Sequence, residues 1–361
     1  MSKQRAEADQ ERRPAKKRRR LSISTLLIVA LVVLGAAGVG IFAANWNARP
    51  QSTPRREENT SAAQTQAPTV EVTPSYAEAD STGEWGSRVR YQGETYVRRD
   101  KLQTLLFMGV DNVQYAEQAL GSAGRTDTLI LFVLDTETKT GRMITISRDT
   151  MVDVDVYDDT GRKLFTGEMQ ITMQYGYGDN PKRCALLTER RVSELIHGID
   201  IDGYLALTMD GIAPIVDGLG GVRLTLDEDY SYIDSSYTKG ATVTLNGAAV
   251  QRMIRYRDTS VNGSNNDRMA RDAWLIQELF HQLRSGNVSI GEILDLADTY
   301  MNTDLSAETL RNFARYDLSG ETVALPGENR TGDNDEFYVD DEAVQALLID
   351  IFYEKLNEAS A

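Results

Sequence analysis

The chain has 361 residues, a net charge of −15 at pH 7 and 41% apolar residues, so it is long enough to bury a full hydrophobic core. Its single cysteine, Cys184, excludes an internal disulfide, and its two histidines, His197 and His281, argue against a histidine-rich zinc site and a Ser-His-Asp triad. The strongly negative charge argues against a broad electrostatic attraction to nucleic acid, so no nucleic-acid partner is expected.

The N-terminus has the charge pattern of a membrane anchor. Residues 1–20 hold nine basic and three acidic side chains, and residues 21–44 hold no charged side chain. As a helix, this second segment would be about 36 Å long, enough to cross a hydrocarbon core of about 30 Å. We therefore predict a single-pass protein of the cell membrane, with 1–20 as a cytoplasmic tail, 21–44 as a transmembrane helix and the rest of the chain extracellular. A cleaved signal peptide is the alternative, although its usual apolar region of ~7–15 residues is shorter.

Composition divides the remaining chain into three parts. Residues 45–97 are predicted to form a flexible extracellular stalk, because most of them are polar and lack apolar periodicity. Residues 98–288 have the periodicity of a globular domain. Residues 289–361 contain two amphipathic helical patterns around a strand-like segment, and they are interpreted as a C-terminal α/β extension packed on that domain.

The globular region alternates between short apolar runs and amphipathic segments. Strands are predicted at 104–110, 128–135 and 142–147, the last two as a hairpin or as neighbours. The elements predicted next are a helix at 182–197, a strand at 204–209, a helix at 211–219 and a strand at 222–226. This alternation favours an α/β fold with helices on both faces of a central mixed β-sheet. Open sheets of this class bind ligands beyond the carboxyl ends of their strands, where Asp111 and Arg148 are expected.

Arginines and aspartates recur at the ends of these predicted elements. The arginines are Arg125, Arg148, Arg255, Arg257, Arg268 and Arg271, and the aspartates include Asp111 and Asp127. A guanidinium binds two phosphate oxygens at once, and paired carboxylates are typical ligands of a divalent cation. The set therefore predicts a site for a Mg2+-complexed diphosphate. For any single arginine, the alternative is pairing with one of the many acidic side chains.

Local spacing predicts how the last four arginines are presented. An extended segment at 254–257 would place Arg255 and Arg257 on one face. A helix from about 265 to 283 would place Arg268 and Arg271, three residues apart, on one face of its first turns. Positive charge there opposes the helix dipole, so these positions favour a nearby anion.

Seven sequence segments follow one another in a distinctive order. They read LLFMGVDN, GRTDTLILF, ITISRDT, QYGYGDN, MDGIAPIVDGLGGV, LNGAAVQRMIRYR and NDRMARD. This series, between about residues 102 and 283, resembles the LytR-CpsA-Psr family of membrane-anchored cell-wall transferases. The resemblance implies an αβα sandwich around a mixed sheet, with an apolar tunnel for a prenyl chain. It also implies transfer of a glycopolymer, such as a teichoic acid or a capsular polysaccharide, from a polyprenyl diphosphate carrier onto peptidoglycan, forming a phosphodiester.

The resemblance also implies roles for individual residues. Asp111 and Asp127 would bind Mg2+, or Mn2+ in its place, and with Arg148 they would form the catalytic set. The diphosphate would be bound by Arg125, Arg148, Arg255, Arg257 and Arg268, to which the helical spacing adds Arg271. An aspartate could accept the proton of the acceptor hydroxyl, but a metal-bound carboxylate is a poor base.

Three positions depart from the family pattern. Ser147 replaces a proline before Arg-Asp-Thr, Gln170 replaces a basic residue, and Asp272 replaces a glutamine after the second helix arginine. These changes bear on polymer specificity more than on the class of protein. Asp272 would either repel the donor or hold the neighbouring arginines in place.

Two other functions would use the same residues. A membrane-tethered protein could bind the polyprenyl diphosphate without catalysis and regulate wall enzymes, although a binder needs no aligned pair of metal ligands. A hydrolase could release polyprenyl phosphate from its diphosphate, because water and a sugar hydroxyl attack through the same machinery.

Overall fold

The computed structural model describes residues 85–111, 124–158, 160–256, 264–284, 299–331 and 335–356. The predicted cytoplasmic tail, transmembrane helix and most of the predicted stalk lie outside these ranges, as does Arg257. Within these ranges, no helix is both long enough and apolar enough to span a membrane.

Fifteen strands and six α-helices are described in these ranges. The strands are β1 (Arg88–Tyr91), β2 (Glu94–Arg98), β3 (Leu102–Asp111), β4 (Arg125–Asp135), β5 (Thr140–Ile146), β6 (Met151–Tyr157), β7 (Lys163–Gln170), β8 (Tyr204–Thr208), β9 (Val222–Thr225), β10 (Thr242–Leu245), β11 (Met301–Thr303), β12 (Thr322–Ala324), β13 (Gly327–Thr331), β14 (Asp335–Val339) and β15 (Tyr353–Lys355). The helices are α1 (Pro181–Leu195), α2 (Ile212–Gly218), α3 (Gly247–Arg255), α4 (Ser264–Arg284), α5 (Ala307–Phe313) and α6 (Asp341–Phe352).

A six-stranded mixed sheet forms the centre of the protein. Its strand order is β11-β8-β3-β4-β5-β12. Strands β3, β4 and β5 pair antiparallel, and β11 pairs antiparallel with β8, whereas β8 runs parallel to β3 and β12 runs parallel to β5. The predicted hairpin of β4 and β5 and the predicted central mixed sheet are therefore confirmed.

Both faces of this sheet are buried. In β3, Leu105 and Phe107 join one hydrophobic core, whereas the alternating residues Leu106 and Met108 join the other. Residues of α2, α3, α4 and α5 pack in the first core, and residues of α1 and α6 pack in the second. Burial on two sides explains why the central strands read as continuous apolar runs.

The chain on either side of the predicted globular domain contributes to this architecture. Strands β11 and β12, from the predicted extension 289–361, form the two edges of the central sheet. Strands β1 and β2, which fall largely in the predicted stalk, form a three-stranded sheet with β15. Trp85, Val89 and Tyr91 are buried in the second core, which explains why this part of the chain is ordered.

The prediction that residues 254–257 are extended is wrong for residues 254–256, the part that the structure describes. Helix α3 runs to Arg255, and Tyr256 follows it as the C-terminal cap. The Asn246 side chain accepts a hydrogen bond from the Ala249 N–H at 2.9 Å and so caps the first turn. Arg255 therefore lies in the last turn of a helix, and not on an extended face shared with Arg257.

Candidate functional site

The candidate site lies at the edge of the central sheet where β3 ends and β4 begins. Asp111 and Arg125 are cross-strand partners at this edge. The Asp111 Oδ1 atom accepts a hydrogen bond from the Arg125 backbone N–H at 2.7 Å. Strand pairing thus brings together two predicted site residues from consecutive sequence motifs.

A β-bulge determines how Asp127 is presented. Gly109 pairs with Thr128 and Val110 pairs with Thr126, so Asp127 is the extra residue of β4 with no partner in β3. Bulges bend the strand and redirect a side chain, and they are common beside functional sites. Asp127 is 1% exposed, so its carboxylate is directed into the protein beside the end of β3.

Two buried arginines contact Asp127 from different elements. Arg148, which follows β5, donates from its Nη1 atom to the Asp127 Oδ1 atom in a buried ion pair. Arg268, in the second turn of α4, donates from Nη2 to the Asp127 backbone carbonyl at 3.0 Å. The Arg148 residue is 7% exposed and Arg268 is 0% exposed. Arg148 can therefore reach the surface at the site, whereas Arg268 supports Asp127 from the interior.

Asp149 and Gln170 form a second layer around Arg148. The Asp149 Oδ1 atom accepts from Arg148 Nε at 3.3 Å and from Gln170 Nε2 at 3.0 Å. Gln170 Nε2 also donates to the Asp335 carbonyl at 2.6 Å, and the Phe337 N–H donates to the Asp149 carbonyl at 2.9 Å. Strand β14, from the C-terminal part of the chain, is therefore bonded directly to the loop that carries Arg148.

The remaining predicted arginines have environments that differ from one another. Arg271 is 5% exposed and donates from Nε to the Met253 carbonyl at 2.8 Å and from Nη2 to the Tyr256 carbonyl at 2.6 Å, so it holds the end of α3 against α4. Arg255 is exposed at the end of α3. Arg257 lies outside the described residues.

The sequence singled out Asp272 only as a departure from a pattern, and the structure places it within the cluster. Asp272 is 1% exposed, and its Oδ2 atom accepts from Thr128 Oγ1 at 3.3 Å. Asp272 follows Arg268 by four residues, a spacing that puts both on one side of a helix, but burial of that side could not be read from the sequence.

Burial dominates the electrostatics of these carboxylates. Desolvation raises the pKa of Asp127 to about 6, although Arg148 and Arg268 act in the opposite direction. Desolvation likewise raises the pKa of Asp272 to about 7 and raises the pKa of Asp111 above its usual range. Groups with strongly shifted pKa values in one cluster are characteristic of functional sites.

Asp111 and Asp127 fit the requirements of a divalent cation. The buried Asp127 Oδ2 atom accepts no hydrogen bond from the described residues, and the Asp111 charge is close enough to raise the Asp127 pKa. Within the described part of the chain, no third carboxylate, histidine or cysteine completes a metal-binding group. Mg2+ is commonly held by one or two carboxylates, with water and substrate phosphates as its other ligands. The two aspartates match that donor set.

Comparison with known proteins yields relatives along most of the chain. TagV of Bacillus subtilis, named as a polyisoprenyl-teichoic acid–peptidoglycan teichoic acid transferase, is 27% identical over 230 residues, which cover 61% of this chain. The chain spans only 54% of the length of TagV. TagU of B. subtilis, which carries the same transferase name, is 25% identical over 302 residues, covering 82% of this chain and 81% of TagU.

Solved structures show the same fold. The B. subtilis TagU structure superposes with a TM-score of 0.53 at 21% identity, covering 72% of this chain and 100% of that chain. TagT bound to LIIa-WTA superposes with a TM-score of 0.53 at 20% identity, covering 70% of this chain and 90% of that chain. The family model described as the LytR_cpsA_psr family matches residues 56–349. The chain therefore belongs to the LytR_cpsA_psr family.

Proposed function

We propose that this protein is a membrane-anchored phosphotransferase. It transfers a glycopolymer of the teichoic acid or capsular polysaccharide type from a polyprenyl diphosphate carrier onto peptidoglycan, assisted by Mg2+. The buried cluster of Asp127, Arg148 and Arg268 at the end of the central sheet carries this proposal. Family membership and relatives that are named as teichoic acid–peptidoglycan transferases support it.

The charge balance of the cluster favours an anionic substrate. Three guanidinium groups and four carboxylates meet here: Arg125, Arg148 and Arg268 with Asp111, Asp127, Asp149 and Asp272. Burying so many charges is a poor way to stabilise a fold, because desolvation offsets much of the attraction between opposite charges. Protonation or metal binding at the carboxylates with raised pKa values leaves an excess of positive charge. A diphosphate group supplies the complementary negative charge.

The chain's own residues position and neutralise the diphosphate in this proposal. Arg148 is aligned by Asp127 on one side and Asp149 on the other, so the N–H groups of its guanidinium are oriented before the substrate binds. In this proposal, Arg125, which pairs with Asp111 across the strands, and the exposed Arg255 at the end of α3 supply further positive charge for the diphosphate. Arg268 holds the backbone of the bulge and thereby the direction of Asp127. Phosphoryl transfer mainly requires positive charges that are already in position when the substrate binds.

The reaction exchanges one phosphate ester for another. The acceptor sugar hydroxyl attacks the phosphorus that carries the glycopolymer, the bond to polyprenyl phosphate breaks, and a phosphodiester to peptidoglycan forms. Mg2+ held by Asp111 and Asp127 would neutralise the oxygens of the diphosphate and of the leaving phosphate. Asp111 and Asp127 are also the candidates for accepting the hydroxyl proton, but metal binding weakens both as bases. The predicted anchor at 21–44 would place this chemistry on the outer side of the cell membrane, beside a lipid-borne donor and the wall.

One reconstitution tests the proposal. The full-length protein is incubated with a lipid diphosphate-linked saccharide, Mg2+ and peptidoglycan fragments, and the saccharide is followed by mass. We expect phosphodiester-linked product from the wild type and none from Arg148→Ala. Arg142→Ala is the matched control, because Arg142 lies on the preceding strand, has a side chain that is 46% exposed and pairs with Asp350 at the surface. Free polyprenyl phosphate without product would replace the transferase with a hydrolase, and donor binding without turnover would replace it with a non-catalytic regulator.

A further inference from the structure

A layered group of aromatic side chains lies where the loop after β9 meets the end of α3 and helix α4. In the inner layer, the Tyr230 ring stacks on Trp274 with ring centroids 5.8 Å apart. In the outer layer, the Tyr232 ring meets Tyr256 at 4.7 Å with a 44° tilt, and it also meets Tyr230 edge-on at 6.2 Å. Tyr230 is only 6% exposed and belongs to the hydrophobic core, whereas Tyr232 is 52% exposed. The outer pair, Tyr232 and Tyr256, therefore presents aromatic surface to solvent and packs on the buried Tyr230 ring.

Hydrogen bonds support this aromatic pair from both sides. The loop between β9 and β10 is closed by backbone hydrogen bonds from Tyr230 N–H to the Tyr237 carbonyl and from Tyr237 N–H to the Asp234 carbonyl, both 2.8 Å. The Tyr230 hydroxyl donates to Asp227 at 2.8 Å. Tyr256 is fixed from the other side by Arg271, which donates to its carbonyl. An exposed ring that is held in place loses little entropy when a ligand packs on it.

Helix α4 connects the pair to the candidate active site. Arg271 contacts the Tyr256 carbonyl, and Arg268, which contacts the Asp127 carbonyl, lies three residues earlier on α4, about 4.5 Å along the helix axis. Tyr256 and the bulge that presents Asp127 are therefore held by neighbouring arginines of α4.

The surroundings select the chemistry of the ligand. The loop carries the exposed acids Asp227, Glu228 and Asp229, of which Glu228 pairs with Lys239 and Asp227 accepts from the Tyr230 hydroxyl. Their remaining carboxylate oxygens can accept hydrogen bonds from the hydroxyls of a sugar. The electron-rich face of a tyrosine ring attracts the weakly positive C–H groups on the face of a pyranose ring. We propose that Tyr232 and Tyr256 form a subsite that binds a pyranose ring of a saccharide. Its place in the reaction rests on the proposed function, and the two possible sources of the ring are the peptidoglycan acceptor and the saccharide carried by the lipid donor.

A binding experiment tests the subsite without requiring transfer. The full-length protein is titrated by calorimetry with the tetramer of N-acetylglucosamine, without Mg2+ or lipid. We expect Tyr232→Ala to weaken binding about threefold to tenfold, the range for one aromatic contact, and Tyr232→Phe to bind like the wild type. Phe165→Ala is the matched control, since Phe165 is 53% exposed on β7, and it should also bind like the wild type.

Kinetics then identify the source of the sugar. A rise in KM for peptidoglycan alone in Tyr232→Ala assigns the subsite to the acceptor, and a rise in KM for the lipid donor alone assigns it to the donor. No tetramer binding by the wild type, or equal binding by wild type and Tyr232→Ala, overturns the subsite. Tetramer binding that depends on Tyr232 in a protein that catalyses no transfer would overturn the proposed function and leave the subsite intact.

Discussion

Replacing Asp272 by asparagine should make the stability of this protein less sensitive to pH. Asp272 is 1% exposed, and its Oδ1 atom accepts no hydrogen bond from the residues that the structure describes. Burial raises its pKa from 3.8 to about 7, and the charges of Arg268 and Arg271 only partly oppose that effect. Asparagine keeps the shape of the side chain and a carbonyl acceptor for Thr128 but carries no charge.

The sign of the effect follows from the direction of the pKa shift. Because the pKa is higher in the folded than in the unfolded protein, the folded state binds this proton more tightly. The stability that Asp272 contributes is therefore fully present below 3.8 and is lost as the pH rises to about 7. The shift corresponds to about 4 kcal/mol, at about 1.4 kcal/mol per pH unit, and this is an upper limit because relaxation and water entry reduce the cost of a buried charge.

Urea unfolding at several pH values measures this contribution. We expect Asp272→Asn to be more stable than the wild type at about pH 8, by up to about 4 kcal/mol, and the difference to shrink to near zero at about pH 4. Asp350→Asn is the control, since the Asp350 side chain is 69% exposed and pairs with Arg142 at the surface. A difference between Asp272→Asn and the wild type that stays constant across this pH range would refute the reasoning, because it would mean that Arg268 and Arg271 keep Asp272 ionised throughout.

Three further substitutions test how the site is supported. Gln170→Ala removes a side-chain donor to Asp149, the residue that also accepts from Arg148, so kcat for transfer should fall about tenfold in a protein that unfolds at the wild-type temperature, as checked by steady-state kinetics and calorimetry. Gly247→Ala should lower the free energy of unfolding by about 1–3 kcal/mol in urea titrations, because its new Cβ would lie 2.2 Å from the Ala213 carbonyl oxygen and would force α2 and α3 apart. Asn246→Ala should cost about 1 kcal/mol in the same assay through loss of the α3 cap, whereas Asn246→Asp should be close to neutral.

The sequence predicted the central sheet well because its strands are apolar on both faces. The short apolar runs that became β3, β4, β5 and β8 fit strands buried on both faces, and the structure has a core on each face of the sheet. The wrong conformation for 254–257 arose from a two-residue arginine spacing. The Asn246 cap and the alanines after it favour a helix more strongly than that spacing favours a strand.

The sequence predicted the members of the site better than their arrangement. Asp111, Arg125, Asp127, Arg148 and Arg268 meet at one edge of the sheet, as the motifs indicated. The bulge that turns Asp127 inward has no local sequence signal, because it depends on the register between two strands.

Long-range contacts were beyond prediction for the same reason. The hydrogen bonds from Gln170 and Phe337 to the Arg148 loop join residues far apart in the chain, so no local periodicity reports them. Burial of Arg271 and Asp272 likewise depends on how α4 packs on α3, which sequence spacing alone does not define.

The central claim is that the buried carboxylate in the β4 bulge and its arginine partners catalyse transfer. The most direct test is the initial rate of phosphodiester formation by the full-length wild type and by Asp127→Asn, each measured over a range of Mg2+ concentrations. We predict that Asp127→Asn, which keeps the size of the side chain, lowers the rate at least about 100-fold and that added Mg2+ does not restore it. A rate within about threefold of the wild type, with the same Mg2+ dependence, would contradict this account and place the chemistry elsewhere in the protein.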